Sequence, residues 1–340
     1  ERAPTVRVTG ADGKPLAVTV PVGPRSVVLH AWRVDVGRVP LYLLDAESPH
    51  NAAIDRWITA RLYEGNRMIR LGQYAALGIG GVRLLEAMGI EPARVHLNEG
   101  HAALASIELA AREVAGGAPF AAARARARAR VVFTTHTPVP AGNETYAASE
   151  ALSVLAQVPE QVGLDPQELL DLGRHEPGAV HEPSGMTALA IRMAGRVNGV
   201  SQRHGEVVRS MWRRLAAEPG GAPLDHVTNG VHAPTWTAPS FRRLYDRHLG
   251  RDWPRRAADP ETWRGLDEVA DRELWAARCE ARHALIEFVR RRSVTDRLRR
   301  GEPIEYVEAA ANALRDDRLT VGFARRLASY KRLRLLVHDP

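Results

Sequence analysis

Beyond Glu91 the chain alternates between short apolar segments and longer amphipathic ones, and this rhythm limits the folds open to it. The apolar segments, predicted as strands, are residues 94–97, 130–134, 196–200, 225–228 and 319–323. The amphipathic segments, predicted as helices, are residues 102–114, 147–156, 166–172, 185–194 and 205–217. Such alternation indicates an α/β fold with a Rossmann-like parallel sheet and helices on both of its faces.

Two other patterns precede this alternation. The first 45 residues show apolar residues at every second position, as in LAVTVPV and SVVLHAWRVDV, which predicts antiparallel strands. Residues 51–63 and 67–88 then show helical periodicity, and the second predicted helix crosses the segment LGIGG. Because glycine weakens a helix by about 1 kcal/mol relative to alanine, these glycines indicate close packing against a neighbour.

A helical pattern also covers residues 239–315, where DRELWAARCEARHALIEFVRRR is the longest periodic run. Its predicted packing face consists of Leu274, Trp275, Ala281, Leu285 and Phe288. The sequence therefore divides into four predicted parts. They are a β-rich portion at 1–50, a Rossmann-like part at 51–235, a helical crossover at 236–316, and the first strand and phosphate-binding turn of a further domain at 317–340.

The charge of the chain raises the hypothesis of nucleic-acid binding. Lys and Arg number 47 against 40 Asp and Glu, which gives a formal net charge of +7. The arginines at 123–130 recur at every second position, which scatters them around a helix and forms no stripe, so we expect no nucleic-acid partner. We also expect no membrane contact, because no apolar run approaches the length of a membrane span. The single cysteine, Cys279, suits a reducing compartment, and we predict a cytoplasmic protein.

Polar residues collect where the predicted strands end. They are Asn98, Glu99 and His101; His136; Gln202, Arg203 and His204; Asn229; and Arg325, Arg326 and Lys331. In an open parallel sheet, ligands bind beyond the carboxyl ends of the strands. Amides, carboxylates and imidazoles match sugar hydroxyls, while a guanidinium beside an ammonium group matches a phosphate. The sequence predicts a polar pocket with an anion site beside it.

Simpler interpretations stand beside this one. Glu99 suits the first turn of a helix capped by Asn98, and His101 can pack there or bond to a backbone carbonyl. His96, His101 and His136, together with Glu99, contain the ligand types of a zinc or iron site. Their spacing lacks the helical i, i+4 pair of a metal-binding helix, so we predict no metal.

Five motifs taken together resemble the α-glucan phosphorylases, which act on glycogen, starch and maltodextrin. The matching segments are VHLNEGHAAL, VVFTTHTPVPAGNE, VNGVSQRHGEVVRSMW, HVTNGVHAPTW and VGFARRLASYKR. They stand in the family's order, and the likeness extends from about Val27 to the C-terminus. NEGH is similar to the shorter bacterial and archaeal branch, whereas animal and plant enzymes carry an Asp-Thr-His version. Asn198 and His204 lie within the third segment, where we expect them to give structural support.

The resemblance implies a GT-B glycosyltransferase fold, in which two Rossmann-like domains face a crevice. It implies phosphorolysis of terminal α-1,4 linkages to glucose 1-phosphate, with an α-glucan or maltodextrin and inorganic phosphate as substrates and pyridoxal phosphate as cofactor. Carried over to this sequence, the catalytic residues at the sugar pocket are His136, Glu99 and His101. The substrate-binding residues are Asn229 at the hydroxymethyl end of the sugar and Arg326 and Lys331 at the phosphate.

The chain departs from the family at the cofactor. The family's Schiff-base lysine stands in a Gly-Thr-Ser-Asn-Met-Lys-like motif after the phosphate cluster, and this sequence has no such motif. Its two lysines are Lys331, in the anion cluster, and Lys14, in the hairpin GADGKPL. We therefore expect an internal fragment that lacks most of the second domain. Alone, it should neither bind pyridoxal phosphate covalently nor turn over glucan.

Two other functions stay open at this point. A nucleotide-sugar-dependent GT-B glycosyltransferase would place its donor diphosphate at the same basic strand end. A non-catalytic fragment would keep a glucan-binding surface without turnover. The sequence also leaves homo-oligomer formation open.

Overall fold

The computed structural model describes residues 5–62, 64–324, 332, 334 and 335. Its backbone contacts divide the chain into two compact units, Glu1–Asn229 and Gly230–Pro340. This division falls before residue 235, where we placed the end of the Rossmann-like part. Each unit has a cluster of buried hydrophobic residues of its own, so each is described by itself.

The first unit begins with a four-stranded antiparallel sheet. Its strands are β1 (Val6–Arg7), β2 (Ala17–Val22), β3 (Arg25–Val36) and β4 (Val39–Asp45). The long strand β3 pairs with each of the other three. Alternate residues such as Val18, Val20, Val27 and Leu29 are buried, as the period of two predicted.

The segment that follows is less helical than predicted. Within the described part of 51–63, the chain forms α1 (Ala53–Arg56) and a 3-10 turn at Trp57–Thr59. Asn51 accounts for the late start, because its side chain accepts a bond from Val28 N–H (2.8 Å) and donates to the carbonyls of Val28 and Ala46 (2.7 Å each). These bonds fix Asn51 to the antiparallel sheet, so the predicted helix is wrong at its start.

A long helical rod then confirms the helix predicted at 67–88. It comprises α2 (Arg67–Ala75), a π-helical turn at Ala76–Gly80 and α3 (Gly81–Ala87). Asn66 caps it by accepting bonds from the N–H groups of Met68 (2.9 Å) and Ile69 (3.2 Å). The π-helical turn holds the glycine motif, and a Cβ atom on Gly78 would lie 2.7 Å from the backbone nitrogen of Ala105. The glycines therefore serve close packing inside a helix.

Four of the five predicted strands form one parallel sheet. They are β5 (Val95–Asn98), β6 (Val131–Thr134), β9 (Arg196–Gly199) and β10 (Leu224–His226), in the spatial order β10-β9-β6-β5. A separate antiparallel pair consists of β7 (Thr145–Tyr146) and β8 (Ser184–Gly185). The predicted α/β class with a parallel sheet is confirmed.

Helices connect these strands and pack against the sheet. They are α4 (Leu104–Ala115), α5 (Phe120–Arg130), α6 (Ala148–Leu155), α7 (Val158–Val162), α8 (Pro166–Asp171), α9 (Met186–Arg192), α10 (Gln202–Met211) and α11 (Arg213–Ala216), with 3-10 turns at Gly100–Ala102 and Pro140–Gly142. Leu97, Phe133 and Val197 lie in register on one face of the sheet and are buried. One continuous core joins this face to the antiparallel sheet.

The arginine run at 123–130 forms the end of α5, where Ala127 is buried. Arg124 donates to the carbonyl of Arg192 (3.2 Å), and Arg128 donates to that of Ala194 (3.3 Å). Burial lowers the pKa of the Arg124 and Arg128 guanidinium groups. These two arginines attach α5 to the end of α9 and the residues after it. Part of the positive charge therefore serves the packing of the fold.

The second unit is helical, as predicted for residues 239–315. Its helices are α12 (Ala233–Trp236), α13 (Pro239–His248), α14 (Trp253–Arg256), α15 (Asp271–Arg299) and α16 (Ile304–Ala311), with a 3-10 segment at Pro260–Leu266. The predicted packing face of α15 is wrong at Trp275, Leu285 and Phe288, which are exposed. The helix instead meets α13 at Ala277, whose carbonyl accepts a bond from Ser240 Oγ (2.8 Å), because a small side chain lets two helices approach closely. Among the described helices, none is both long enough and apolar enough to cross a membrane.

The strand predicted at 319–323 is not formed. This segment has irregular backbone, and Leu319 and Val321 are exposed. A strand needs a neighbour to pair its N–H and C=O groups, and within the described part of the chain none lies beside this segment. Arg325, Arg326 and Lys331, the predicted anion cluster, lie outside the described residues.

Candidate active site

The carboxyl ends of the parallel strands meet at one edge of the sheet. Asn98 of β5 is in register with Thr134 of β6, and Thr134 is in register with Asn198 of β9. Backbone bonds continue past the strands, from Glu99 N–H to the Thr134 carbonyl (2.9 Å) and from Thr135 N–H to the Asn198 carbonyl (3.1 Å). The segments that carry the predicted site residues therefore leave the sheet side by side.

Asn229 is attached to the same edge. Its backbone N–H donates to the carbonyl of Val200 (3.1 Å), just as Val227 N–H donates to that of Gly199 (2.9 Å). The Asn229 side chain is exposed. The structure thus places the predicted hydroxymethyl-binding residue directly after β10, at the edge where the other strand ends lie.

Glu99 has a backbone conformation that is rare for any residue except glycine. Its φ is 67° and its ψ is 169°, a combination that costs about 1–3 kcal/mol for a residue with a side chain. The carboxylate accepts bonds from the backbone N–H of His136 and from Thr137 Oγ1, the latter at 3.1 Å. Glu99 therefore links the end of β5 to the loop that follows β6.

His136 is oriented by the neighbouring strand end. Its Nε2 atom lies 2.8 Å from Oδ1 of Asn98, and this oxygen can only accept a hydrogen bond. The imidazole consequently donates from Nε2. In the neutral ring Nδ1 is then an acceptor, and since the His136 side chain is exposed, that acceptor can serve a hydroxyl group.

His101 follows the strained turn and contacts an aromatic ring. Its imidazole centroid lies 5.1 Å from that of Tyr74, at an interplanar angle of 58°. Gly100 before it is buried, and a Cβ atom there would lie 3.2 Å from Met186 and Thr187. The turn from Glu99 to His101 is therefore seated closely on α9.

A chain of three polar side chains crosses the sheet beneath these residues. Thr134 Oγ1 donates to Asn198 Oδ1 (3.0 Å), and His96 Nε2 lies 2.7 Å from the same hydroxyl. Because the Thr134 hydroxyl uses its only proton in the hydrogen bond to Asn198, His96 Nε2 must donate to Thr134 Oγ1. We considered His96 only as a metal ligand, although the period of two in VHLN places it on the same face as Asn98. Among the described residues, no group of three His, Cys, Asp or Glu side chains is arranged to hold a metal ion.

His204, predicted to give structural support, is buried at the start of α10. Its Nδ1 accepts a bond from Val200 N–H (3.2 Å), and its own backbone N–H donates to Ser201 Oγ (3.1 Å). These contacts close the turn between β9 and α10. They support the structural role that we expected of His204.

Glu144 lies on the loop between His136 and β7, and although it ends the segment VVFTTHTPVPAGNE, no role was predicted for it. The hydroxyl groups of Tyr74 (2.6 Å) and Tyr146 (2.9 Å) both donate to Oε2, and Arg70 donates to Oε1. Burial opposes the charge on Glu144, but the bonds from Tyr74, Arg70 and Tyr146 outweigh it and lower the pKa of the carboxyl. Burial, together with the bond and charge of Glu144, raises the pKa of both phenols, which therefore stay protonated donors.

Comparison with known proteins shows which proteins the chain is similar to. The chain is 40% identical over 346 residues to a maltodextrin phosphorylase of Thermococcus litoralis, a match that covers 100% of the chain and 40% of the relative. A glycogen phosphorylase of Mycobacterium tuberculosis is 38% identical over 351 residues, covering 98% of the chain and 40% of the relative. That of Aquifex aeolicus is 34% identical over 339 residues, covering 100% of the chain and 49% of the relative. The chain is homologous to part of the α-glucan phosphorylases.

This homology confirms the family that the five motifs indicated. No family model matches the chain. The chain spans less than half the length of these curated phosphorylases. Within the described residues, the predicted site residues Glu99, His101, His136 and Asn229 lie at or just beyond one edge of the parallel sheet, while the predicted phosphate ligands Arg326 and Lys331 lie outside the described residues.

The described residues do not fit the attachment of pyridoxal phosphate, the cofactor that the phosphorylase resemblance implies. Such attachment uses a lysine amine as the nucleophile. Lys14 is exposed in the hairpin before β2, where its backbone N–H donates to Asp12 Oδ1 (3.0 Å), and it belongs to the antiparallel sheet rather than to the strand ends. Lys331 is outside the described residues. We therefore assign no cofactor attachment site in this part of the molecule.

Proposed function

We propose that this chain is the glucan-binding part of an α-glucan phosphorylase, which cleaves terminal α-1,4 linkages with inorganic phosphate. Phosphorylase-named relatives match it along essentially its whole length. The observation that carries the proposal is the meeting of Asn98, Glu99 and His136 at one edge of a parallel sheet, with His101 in the turn that follows Glu99. Amide, carboxylate and imidazole groups side by side offer the donors and acceptors that sugar hydroxyls need.

In the proposed reaction, the bond between C1 of the terminal glucose and the leaving oxygen breaks, and C1 bonds to a phosphate oxygen. The leaving oxygen takes up the proton that inorganic phosphate gives up, and positive charge builds on the sugar ring in an oxocarbenium-like transition state. We assign His136, Glu99 and His101 to the sugar pocket. We assign Asn229 to the hydroxymethyl end, and Arg326 and Lys331 to the phosphate, whose charge they would balance.

The contacts of His136 explain how this chain would orient the sugar. Since Nε2–H donates a hydrogen bond to Asn98 Oδ1, the neutral ring offers Nδ1 as an acceptor to a hydroxyl group. Glu99 holds the His136 backbone by its N–H group. When the groups of a site are fixed before the substrate binds, less entropy is lost on reaching the transition state. We expect this arrangement to lower the activation barrier in that way.

The other proposed properties follow from the same assignment. An α-glucan or maltodextrin and inorganic phosphate are the proposed substrates. Pyridoxal phosphate is the proposed cofactor of the enzyme, and we derive no step of the reaction through it. A cytoplasmic location and the absence of a nucleic-acid partner stay predictions, and homo-oligomer formation stays open.

The proposal is tested on the complete gene product, expressed from the start codon to the stop codon of its gene. With maltoheptaose, inorganic phosphate and pyridoxal phosphate it should release glucose 1-phosphate, measured with phosphoglucomutase and glucose-6-phosphate dehydrogenase. His136→Ala should lower kcat/KM about 100-fold or more, the usual loss when an oriented polar group leaves an active site. Glu108→Gln, which alters a buried carboxylate paired with Arg83, is the matched control and should retain the activity.

Two outcomes would overturn this proposal. Transfer of glucose from UDP-glucose or ADP-glucose, without phosphorolysis, would show a nucleotide-sugar-dependent transferase. Binding of maltoheptaose in calorimetry, with neither reaction detectable, would show a glucan-binding protein.

A further inference from the structure

We propose that Glu144 is a positioning residue that holds Tyr74 against His101 and so fixes the His101 imidazole at the sugar pocket. The proposal rests on the proposed function, because it concerns the same site. Glu144 ends the segment VVFTTHTPVPAGNE, but neither the motifs nor the comparisons give it a role. Glu144 touches no sugar-pocket residue itself and acts through the phenol of Tyr74.

The first step is the number of donors that converge on one carboxylate. Glu144 accepts from Tyr74, Tyr146 and Arg70, and these come from two different parts of the fold, since Tyr74 and Arg70 belong to α2 and Tyr146 to β7. Arg70 is itself fixed, because its Nε and its second terminal nitrogen donate to the Glu64 carbonyl (2.9 and 2.6 Å). A carboxylate held by several donors has little rotational freedom and makes a rigid anchor.

The second step is the geometry of Tyr74. Its side chain is 5% exposed, and one end of its ring bears the hydroxyl bound to Glu144 while the ring itself meets His101. The bond at the hydroxyl holds the far end of the side chain and so keeps the ring from swinging away from His101. Because the His101 imidazole packs against this ring, a fixed position of Tyr74 also limits the orientations open to His101.

The third step concerns the loop that carries Glu144. The same loop begins at His136, so one carboxylate ties the segment after β6 to α2. Contacts of Arg67 also attach α2 to the segment that follows Glu144. Arg67 donates to Glu150 (2.9 Å) and to the Thr145 carbonyl (2.5 Å), and its guanidinium lies 4.8 Å from the Tyr146 ring centroid. The helix α2 is thus attached to the His136 loop by Glu144 and to the His101 turn by Tyr74.

Two substitutions test the proposal on the 340-residue chain. Tyr74→Phe keeps the ring and removes only the hydroxyl that Glu144 binds. Glu144→Gln keeps the shape of the anchor and removes its charge. With selective labelling of the histidine rings and assignment of His101 through His101→Gln, both variants should shift the His101 ring resonances. Glu108→Gln, which breaks the Arg83 pair elsewhere in this unit, should leave them in place.

A purely structural role predicts a different result. Glu144→Gln and Tyr74→Phe would then lower the melting temperature, as expected also for Glu108→Gln, while the His101 resonances would stay where they are in the wild type. That result would overturn the proposal. Tyr74→Phe keeps the volume of the buried ring, so the test does not depend on a variant that fails to fold.

Kinetics on the complete gene product supply the second readout. Glu144→Gln should lower kcat/KM for phosphorolysis about 10- to 100-fold, the range expected when a catalytic group is misplaced by about 1 Å. An unchanged kcat/KM would also overturn the positioning role. If the wild type itself shows no phosphorolysis, the proposed function fails, and the His101 resonances still decide whether Glu144 positions that ring.

Discussion

At the scale of single residues, Glu99 combines a strained backbone conformation with side-chain hydrogen bonds to a neighbouring loop. Its φ of 67° and ψ of 169° would suit glycine, yet the side chain reaches the N–H of His136 and the hydroxyl of Thr137. Observed strain of this kind clusters at functional sites. The sequence motif NEGH contains a glycine one position later, at Gly100, where close packing against α9 explains it.

This strain can be measured by comparing Glu99→Gly with Glu99→Ala. Both variants lose the carboxylate, but only glycine relieves the backbone, by about 1–3 kcal/mol. Glycine also makes the unfolded chain more flexible, at a cost of about 0.4–1 kcal/mol. Urea unfolding should therefore show Glu99→Gly to be more stable than Glu99→Ala by up to about 2.5 kcal/mol. An alanine variant that is more stable than the glycine variant by about 0.4–1 kcal/mol, the flexibility cost alone, would mean that Glu99 is not strained.

At the scale of elements, the rod formed by α2, the π-helical turn and α3 organises one side of the site. It supplies Arg70 and Tyr74 to the Glu144 cluster, which consists of the Glu144 carboxylate and its donors Arg70, Tyr74 and Tyr146. Its glycines admit the close approach of α4. π-helical turns of this kind occur often at functional sites. The segment LGIGG was predicted to be a packing motif, and the structure bears this out because Gly78 nearly touches backbone atoms at the start of α4.

Two alanine substitutions in this rod should have opposite effects. At Gly78 a Cβ atom would lie 2.7 Å from the Ala105 nitrogen and 2.9 Å from two Leu104 atoms, so Gly78→Ala should destabilise the chain by about 1–3 kcal/mol through overpacking. At Gly81 a Cβ atom would meet nothing within 4 Å, so Gly81→Ala should stabilise it by about 0.5–1 kcal/mol. Thermal and urea unfolding measure both. Stabilisation by Gly78→Ala would contradict the close approach of α4.

At the scale of the whole molecule, structural features that depend on local sequence patterns were predicted more successfully than features that depend on long-range contacts. The period of two found β2 to β4, and the βα alternation found four parallel strands with their polar ends, because these signals lie within a few residues of one another. The start of the helix after Asn51 and the packing face of α15 depend on partners elsewhere in the chain, so periodicity misjudged them.

The Glu144 cluster shows the same limit within the site. Arg70 and Glu144 are 74 positions apart, and Tyr74 and Glu144 are 70 apart, so no local pattern connects them. By contrast, Asn98, Glu99 and His136 could be placed together, because parallel strands end at a common edge whatever the length of the helices between them. Strand ends were therefore predictable, and the contacts that orient their side chains were not.

The division after Asn229 leads to a prediction about where sugar binding resides. The unit Glu1–Asn229 holds the parallel sheet, the Glu144 cluster and one continuous core, whereas the two cations assigned to phosphate come much later in the sequence. We expect the polypeptide 1–229 to fold cooperatively and to bind maltoheptaose in calorimetry with the same affinity whether phosphate is present or absent. His136→Ala should abolish this binding, and Glu108→Gln should not. If 1–229 folds but binds no maltoheptaose, while the complete gene product does, the sugar pocket needs residues beyond Asn229 and its assignment to these strand ends is wrong.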